Sequence, residues 1–204
     1  MPAQRLYLIG MTGNIACGKS TVLAELARRG AAVIDADRVT HDLQQPGQPV
    51  YQQIVAAFGP QVATAPGGPL DRKRLASVVF SDAEALRRLE AIVHPAVRAT
   101  VFGWLEEVAR AGLARVAVVD AIKLLEAGWK ARCDAIWVVT CTPEQQAQRL
   151  IATRGMSPEE ARMRIEAQPP QADKVAQADV VIDNSGPLDA TLAQIDRAWE
   201  NLGT

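Results

Sequence analysis

Residues 13–20 read Gly13-Asn14-Ile15-Ala16-Cys17-Gly18-Lys19-Ser20, an intact G-x-x-x-x-G-K-S. An apolar run at 5–11 precedes this string and a helical pattern at 21–29 follows it, with Gly30 suited to the residue past the helix end. The string therefore joins a buried strand to the first turn of a helix, which commits the chain to an α/β architecture. Its glycines let the backbone curl until several N–H groups face an anion, and the helix end adds partial positive charge. Lys19 can reach the β- and γ-phosphates of a nucleotide, and the Ser20 hydroxyl can ligate Mg²⁺. The candidate phosphate-binding residues are Gly13, Asn14, Ile15, Ala16, Cys17, Gly18, Lys19, Ser20 and Thr21. Cys17 admits two readings. It is either a tolerated variable position, which is favoured, or a thiol activated by the helix end, whose alkylation blocks nucleotide binding.

Further apolar runs at 31–35, 115–120, 135–141 and 179–183 alternate with helical patterns. The expected fold is α/β: a P-loop NTPase three-layer arrangement around a five-stranded, mainly parallel sheet. Ser81-Asp82-Ala83-Glu84, Thr142-Pro143-Glu144-Gln145 and Ser157-Pro158-Glu159-Glu160 all fit the capping box. Pro95 is expected to open another helix, with Val97, Val101, Leu105 and Val108 on one face. In the last helix Leu188, Leu192, Ile195, Trp199 and Leu202 form a stripe that should pack on the sheet rather than on a second copy. A monomer or weak homo-oligomer is therefore expected. Residues 39–112 show no strand pattern and Pro/Gly-rich turns, which implies a mostly helical insertion.

Balance of charge narrows the partners. With 22 Lys and Arg against 23 Asp and Glu, the chain has no extended basic footprint for nucleic acid or a membrane surface. Its apolar runs are too short to span a bilayer, and no secretory pattern opens it. Cys17, Cys133 and Cys141 form no metal-spaced pair, so reduced thiols in a cytoplasmic protein are expected.

Several residues could act on a phosphoryl group. Asp35 and Asp37 end the second strand pattern, where ligands bind in open α/β sheets. Asp37 could orient an acceptor hydroxyl and take its proton, while Asp35 suits helix capping or Mg²⁺ support. Asp120 ends the third strand and could hold Mg²⁺ through water, a metal set completed by Ser20. Arg149 offers a planar fork of donors to charge spread over phosphoryl oxygens. Arg164 can pair with Glu160 one turn earlier and serves at most as a substrate ligand. His94, before Pro95, suits a structural or substrate contact better than proton transfer.

Taken together, the strings closely resemble the dephospho-CoA kinase family. They run in order over almost the whole chain: Gly10-Met11-Thr12-Gly13, Val33-Ile34-Asp35-Ala36-Asp37 with His41, Phe58-Gly59, Leu70-Asp71-Arg72 with Leu75 and Phe80, Leu89-Glu90 and His94-Pro95. Gln148-Arg149-Leu150, Arg164-Ile165-Glu166-Ala167-Gln168 and Val181-Ile182-Asp183-Asn184-Ser185-Gly186 complete the series. The resemblance implies transfer of the ATP γ-phosphoryl to the 3′-hydroxyl of dephospho-CoA, with Mg²⁺, as the last step of coenzyme A synthesis. It implies one kinase domain with a core (about 1–38, 113–150 and 177–204), a helical substrate-binding insertion (about 39–112) and a mobile lid (about 151–176). Asp37 falls on the family's base, Arg149 on its phosphoryl-stabilising arginine, Thr12 on the phosphate end of the site and Asn184 near the adenine, and Lys19 of the loop completes the catalytic set. Two departures stand out. The chain reads Asp120-Ala121-Ile122-Lys123-Leu124-Leu125-Glu126 where the family has Pro and Leu in place of Ile122 and Lys123, so Lys123 is expected to add a contact to an anionic substrate. Asn14 and Cys17 replace small residues in the loop. The competing readings are another metabolite kinase on the same core and a GTP switch, but the Asn-Lys-x-Asp of such switches is absent.

Overall fold

The structure is a computed structural model, described over residues 5–202. Its chain divides into two compact units, one comprising residues up to Ile34 together with those from Glu107 onward, the other Asp35–Glu106.

The first unit is built on a five-stranded sheet of β1 (Tyr7–Thr12), β2 (Ala32–Asp35), β3 (Val116–Asp120), β4 (Ala135–Thr140) and β5 (Val180–Asp183), in the order β2-β3-β1-β4-β5. β1 pairs in parallel with β3 and β4, and β4 in parallel with β5. Every residue of β3 and β4 is buried, as continuous apolar runs require when helices cover both faces. α1 (Lys19–Arg28) packs with the closing helix against Ile9, Met11, Trp137, Val139 and Ile182. Trp137 lies at the centre of this core, fully buried, with no partner for its indole N–H among the described residues.

The second unit holds α2 (Ala36–Leu43), α3 (Pro49–Phe58), α4 (Arg72–Ser81) and the first part of α5 (Ala83–Ala111). Val50, Ile54, Phe58, Val62, Leu75 and Val79 supply its buried apolar residues. The Tyr51 hydroxyl donates to the Gly68 carbonyl at 2.7 Å, and Asp71 caps α4 through the amides of Lys73 and Arg74.

Past β4 come α6 (Pro143–Arg154), α7 (Pro158–Glu166), the short α8 (Gln171–Val175) and, after β5, α9 (Leu188–Glu200). The capping boxes of Thr142 with Gln145 and Ser157 with Glu160 are both complete. Most of the expected stripe packs on the sheet, with Ile195 fully buried and Leu192, Trp199 and Leu202 against its core, but Leu188 at the start of α9 is exposed.

Two helix starts differ from expectation. Ser81 ends α4, its hydroxyl donating back to the Ser77 carbonyl at 2.8 Å, and the cap of α5 is the Asp82 carboxylate on the Glu84 amide. Pro95 opens nothing; it lies inside α5. A proline costs one backbone bond and a clash, about 3 kcal/mol. The buried series Val93, Val97, Val101, Leu105 and Val108 runs through it and offsets that cost.

Candidate functional site

Parallel pairing brings the carboxyl ends of all these strands to one sheet edge, and the phosphate loop leaves the central one. The register sets Met11 beside Asp120 and Thr12 beside Val138. The loop at 13–18 therefore emerges between the end of β3 and the start of α6.

Gly13 and Gly18 have no space for side chains. A Cβ at Gly13 would meet the Val139 carbonyl and the Cys17 sulfur, and one at Gly18, whose φ is +91°, would meet the Asn184 amide. Ala16 also takes positive φ, at 57°. Gly18 stands before α1 with no side-chain cap, and no acidic residue occupies the helix's first turn. The leading amides thus remain free of side-chain acceptors, in contrast to those of α6 and α7. Ser20 and Thr21 are exposed in that first turn.

Lys19 and Asp120 form the charged centre. The lysine Nζ lies 3.3 Å from Asp120 Oδ1, both side chains being largely buried. Such a pair keeps its two desolvated charges matched until an anion arrives. Arg149, on α6, donates from Nη1 to the Ala16 carbonyl at 3.2 Å and from Nη2 to the Asn184 carbonyl at 2.8 Å. Asn184, just past β5, donates from Nδ2 to the Cys17 carbonyl at 2.9 Å and accepts from the Thr191 hydroxyl at 2.9 Å. Gln146 adds a bond to the Ile15 carbonyl at 2.7 Å. Thr12 is fully buried, its hydroxyl donating to the Ile122 carbonyl at 3.1 Å.

The structure assigns Cys17 to packing. It is 1% exposed, and burial pushes its thiol up to about 11, outweighing the nearby Lys19 charge. The thiolate that alkylation needs is therefore suppressed, and the activated-thiol reading falls. Arg164 makes no ion pair with Glu160 among the described residues. Glu160 is committed to the Ser157 cap, which holds its carboxyl below the ordinary range, with Arg164 adding only a through-space contribution. The pair on α7 is Arg162 with Glu166, at 3.5 Å.

Thr12, residues 13–20, Asp120, Arg149 and Asn184 are thus gathered at one edge of the first unit. Lys123 is exposed in the turn after β3, and Arg164 is exposed on α7. Asp37 and His94 belong to the second unit. Asp37 is exposed in the first turn of α2, where Asp35 serves as the cap by accepting from the Arg38 amide at 2.9 Å. His94 is half-buried within α5.

Sequence reasoning placed residues 168–174 only within the expected lid and gave none of them a contact at the site, yet they are tied to this edge at four points. Gln168 Oε1 accepts from the Ile15 amide at 2.7 Å, and the Pro169 carbonyl accepts from Asn14 Nδ2 at 3.2 Å. Gln171 donates to the Cys141 carbonyl at 3.3 Å and Lys174 to the Ile122 carbonyl at 3.4 Å. Gln168 stood within a quoted string; Lys174, in a polar run, had no local signal separating it from a solvated face.

No helix is long and apolar enough to cross a membrane, and no cluster of three or more His, Cys, Asp or Glu able to hold a metal occurs among the described residues. A sequence model of the family described as dephospho-CoA kinase matches residues 7–190. A dephospho-CoA kinase of Symbiobacterium thermophilum is 52% identical over 194 residues, covering 95% of this chain and 80% of the relative. One of Geobacter sulfurreducens is 45% identical over 95% of this chain and 98% of its own. Among solved structures, a Thermus thermophilus protein superposes with TM-score 0.83 at 33% identity, covering 98% of this chain and all of that one.

Proposed function

Because the chain belongs to the dephospho-CoA kinase family, we propose that it transfers the γ-phosphoryl of ATP to the 3′-hydroxyl of dephospho-CoA, giving coenzyme A and ADP. The observation that carries this reading is the formed phosphate loop, running into an α1 start with no side-chain cap and with Lys19 at 3.3 Å from Asp120, on a chain that matches the family over residues 7–190.

In this reading residues 13–21 grip the nucleotide's phosphates and Lys19 turns from Asp120 to the β- and γ-oxygens. Ser20 and Asp120 supply a hydroxyl and a carboxylate, hard oxygen donors of the kind Mg²⁺ takes, so these residues fit the ion. Mg²⁺ held there would supply charge neutralisation on the phosphate oxygens. Arg149 spends part of its fork on the Ala16 and Asn184 carbonyls, and the remainder serves the equatorial oxygens of the transferring group. Asp37 orients the acceptor hydroxyl and takes its proton. Asn184 positions the loop beside the adenine through Cys17. Thr12, His94, Lys123 and Arg164 contact dephospho-CoA, with residues 39–112 as its binding region and 151–176 as a lid. The enzyme works in the cytoplasm, as a monomer or weak homo-oligomer.

The test is direct: incubate the protein with ATP, Mg²⁺ and dephospho-CoA and measure product mass, with AMP, nucleosides and shikimate as competing acceptors. Coenzyme A as the dominant product supports the reading. Transfer only to another acceptor, or none, overturns it.

A further inference from the structure

Lys174 is a charged residue with an unusual burial. Its side chain is 4% exposed, on a short helix fastened to the sheet edge through Gln171 and, just upstream, through Gln168 and Pro169. Buried lysines are rare unless paired. Here the hydrogen bond is one long contact, 3.4 Å, to the Ile122 carbonyl. That oxygen also accepts from Thr12, the residue that leads into the phosphate loop. Glu126 is the carboxylate whose charge supports the ammonium, and the two form no ion pair among the described residues. Burial is the main cause that lowers the Lys174 pKa; Cys17 acts with Glu126 against it, and the repulsion of Lys19 adds to it. Lys174 thus lies within electrostatic reach of Lys19, whose ammonium faces Asp120 at 3.3 Å.

A buried positive charge without an ion pair is costly. It becomes favourable when an anion arrives. We propose that Lys174 is a second phosphate-contacting lysine of the site, directed at the terminal phosphoryl of the nucleotide from the Thr12 side, opposite the grip of the loop amides. This deepens the proposed kinase reading and rests on it. In the free protein the Ile122 carbonyl holds the ammonium in readiness. On nucleotide binding the same stem places its remaining N–H donors on the γ-phosphoryl oxygens, where they strengthen as charge moves during transfer.

The bland alternative is that Lys174 merely ties α8 to the turn after β3. Two variants separate the readings. Lys174→Gln keeps a hydrogen bond to Ile122 and loses the charge; Lys174→Met keeps the stem and loses both. The probes are ATP, ADP and AMP by titration calorimetry, with kcat and KM for coenzyme A formation. Both variants should weaken ATP about ten-fold while ADP changes less than two-fold and AMP not at all, and kcat should fall about a hundred-fold. Equal affinities for ATP in wild type and both variants, with unchanged kcat, would overturn the proposal. Failure of both variants to fold, read by circular dichroism, assigns Lys174 to the fold and overturns it as well. A wild type that makes no coenzyme A strikes the kinase reading instead, and the preference for ATP over ADP still reports on Lys174.

Discussion

Replacing Asn184 with alanine tests how the phosphate loop is held. Its amide makes two buried bonds at 2.9 Å each, to the Cys17 carbonyl and from the fully buried Thr191 hydroxyl. Each contributes about 1 kcal/mol net, and the stranded Cys17 carbonyl adds about 1–2 kcal/mol because no water replaces the lost donor. Asn184→Ala should therefore cost about 3–4 kcal/mol, which for a chain of this size lowers the melting temperature by about 10 °C. The assay is thermal unfolding followed by circular dichroism, repeated for Thr191→Val and for the double variant. Because Thr191 acts through Asn184, the double variant should be scarcely worse than Asn184→Ala, giving a coupling energy of about 1 kcal/mol or more. The KM for ATP should rise as the loop loosens. A melting temperature within about 2 °C of wild type, or strictly additive single effects, would refute the reasoning.

Asp37→Asn should lower kcat by about a hundred-fold or more with little change in ATP affinity, whereas Lys19→Ala should impair both; near-normal turnover of Asp37→Asn removes it from proton transfer. Native Cys17 and Cys133, raised from 9.0 to about 11 and about 12 respectively by burial, should resist thiol reagents at pH 8, and rapid labelling that ATP prevents would contradict this. The same shifts carry a stability term that is whole below pH 9 and is lost as pH rises through 11–12, since the unfolded thiols release protons first; denaturant titrations across that window check it. Trp137→Phe loses volume and also removes an indole N–H that has no partner among the described residues, so its cost should stay below about 2 kcal/mol, against about 3–5 kcal/mol for Trp137→Ala.

The parts of the fold legible in the sequence were those encoded within a few residues. The loop between strand and helix, the five apolar runs and the caps of Thr142 and Ser157 all depend on neighbours in the chain. Where two local signals competed, reading order failed. Ser81 and Asp82 both suit an N-cap, and the carboxylate took it because Ser81 still belonged to the preceding helix. Pro95 was read as a start, yet burial on both sides of it decided otherwise. The Cys17 thiol showed the same limit, since the helix end near it is local while the burial that outweighs it is assembled from distant strands. The ties from Gln168, Gln171 and Lys174 join residues far apart in the chain. A polar side chain shows no sign in its own surroundings of which distant carbonyl it will meet.

Most fastenings at this sheet edge end on main-chain atoms: in the loop the Ile15 amide and carbonyl and the carbonyls of Ala16 and Cys17, and beyond it the carbonyls of Ile122 and Cys141. A backbone oxygen is offered alike by every amino acid. Mutational drift at 15, 17 or 122 can therefore exchange one modest side chain for another without unfastening these bonds, whereas Gln146, Arg149, Gln168 and Asn184 have no such latitude. The uncommon letters at 17 and 122 are the kind of spelling change this construction absorbs.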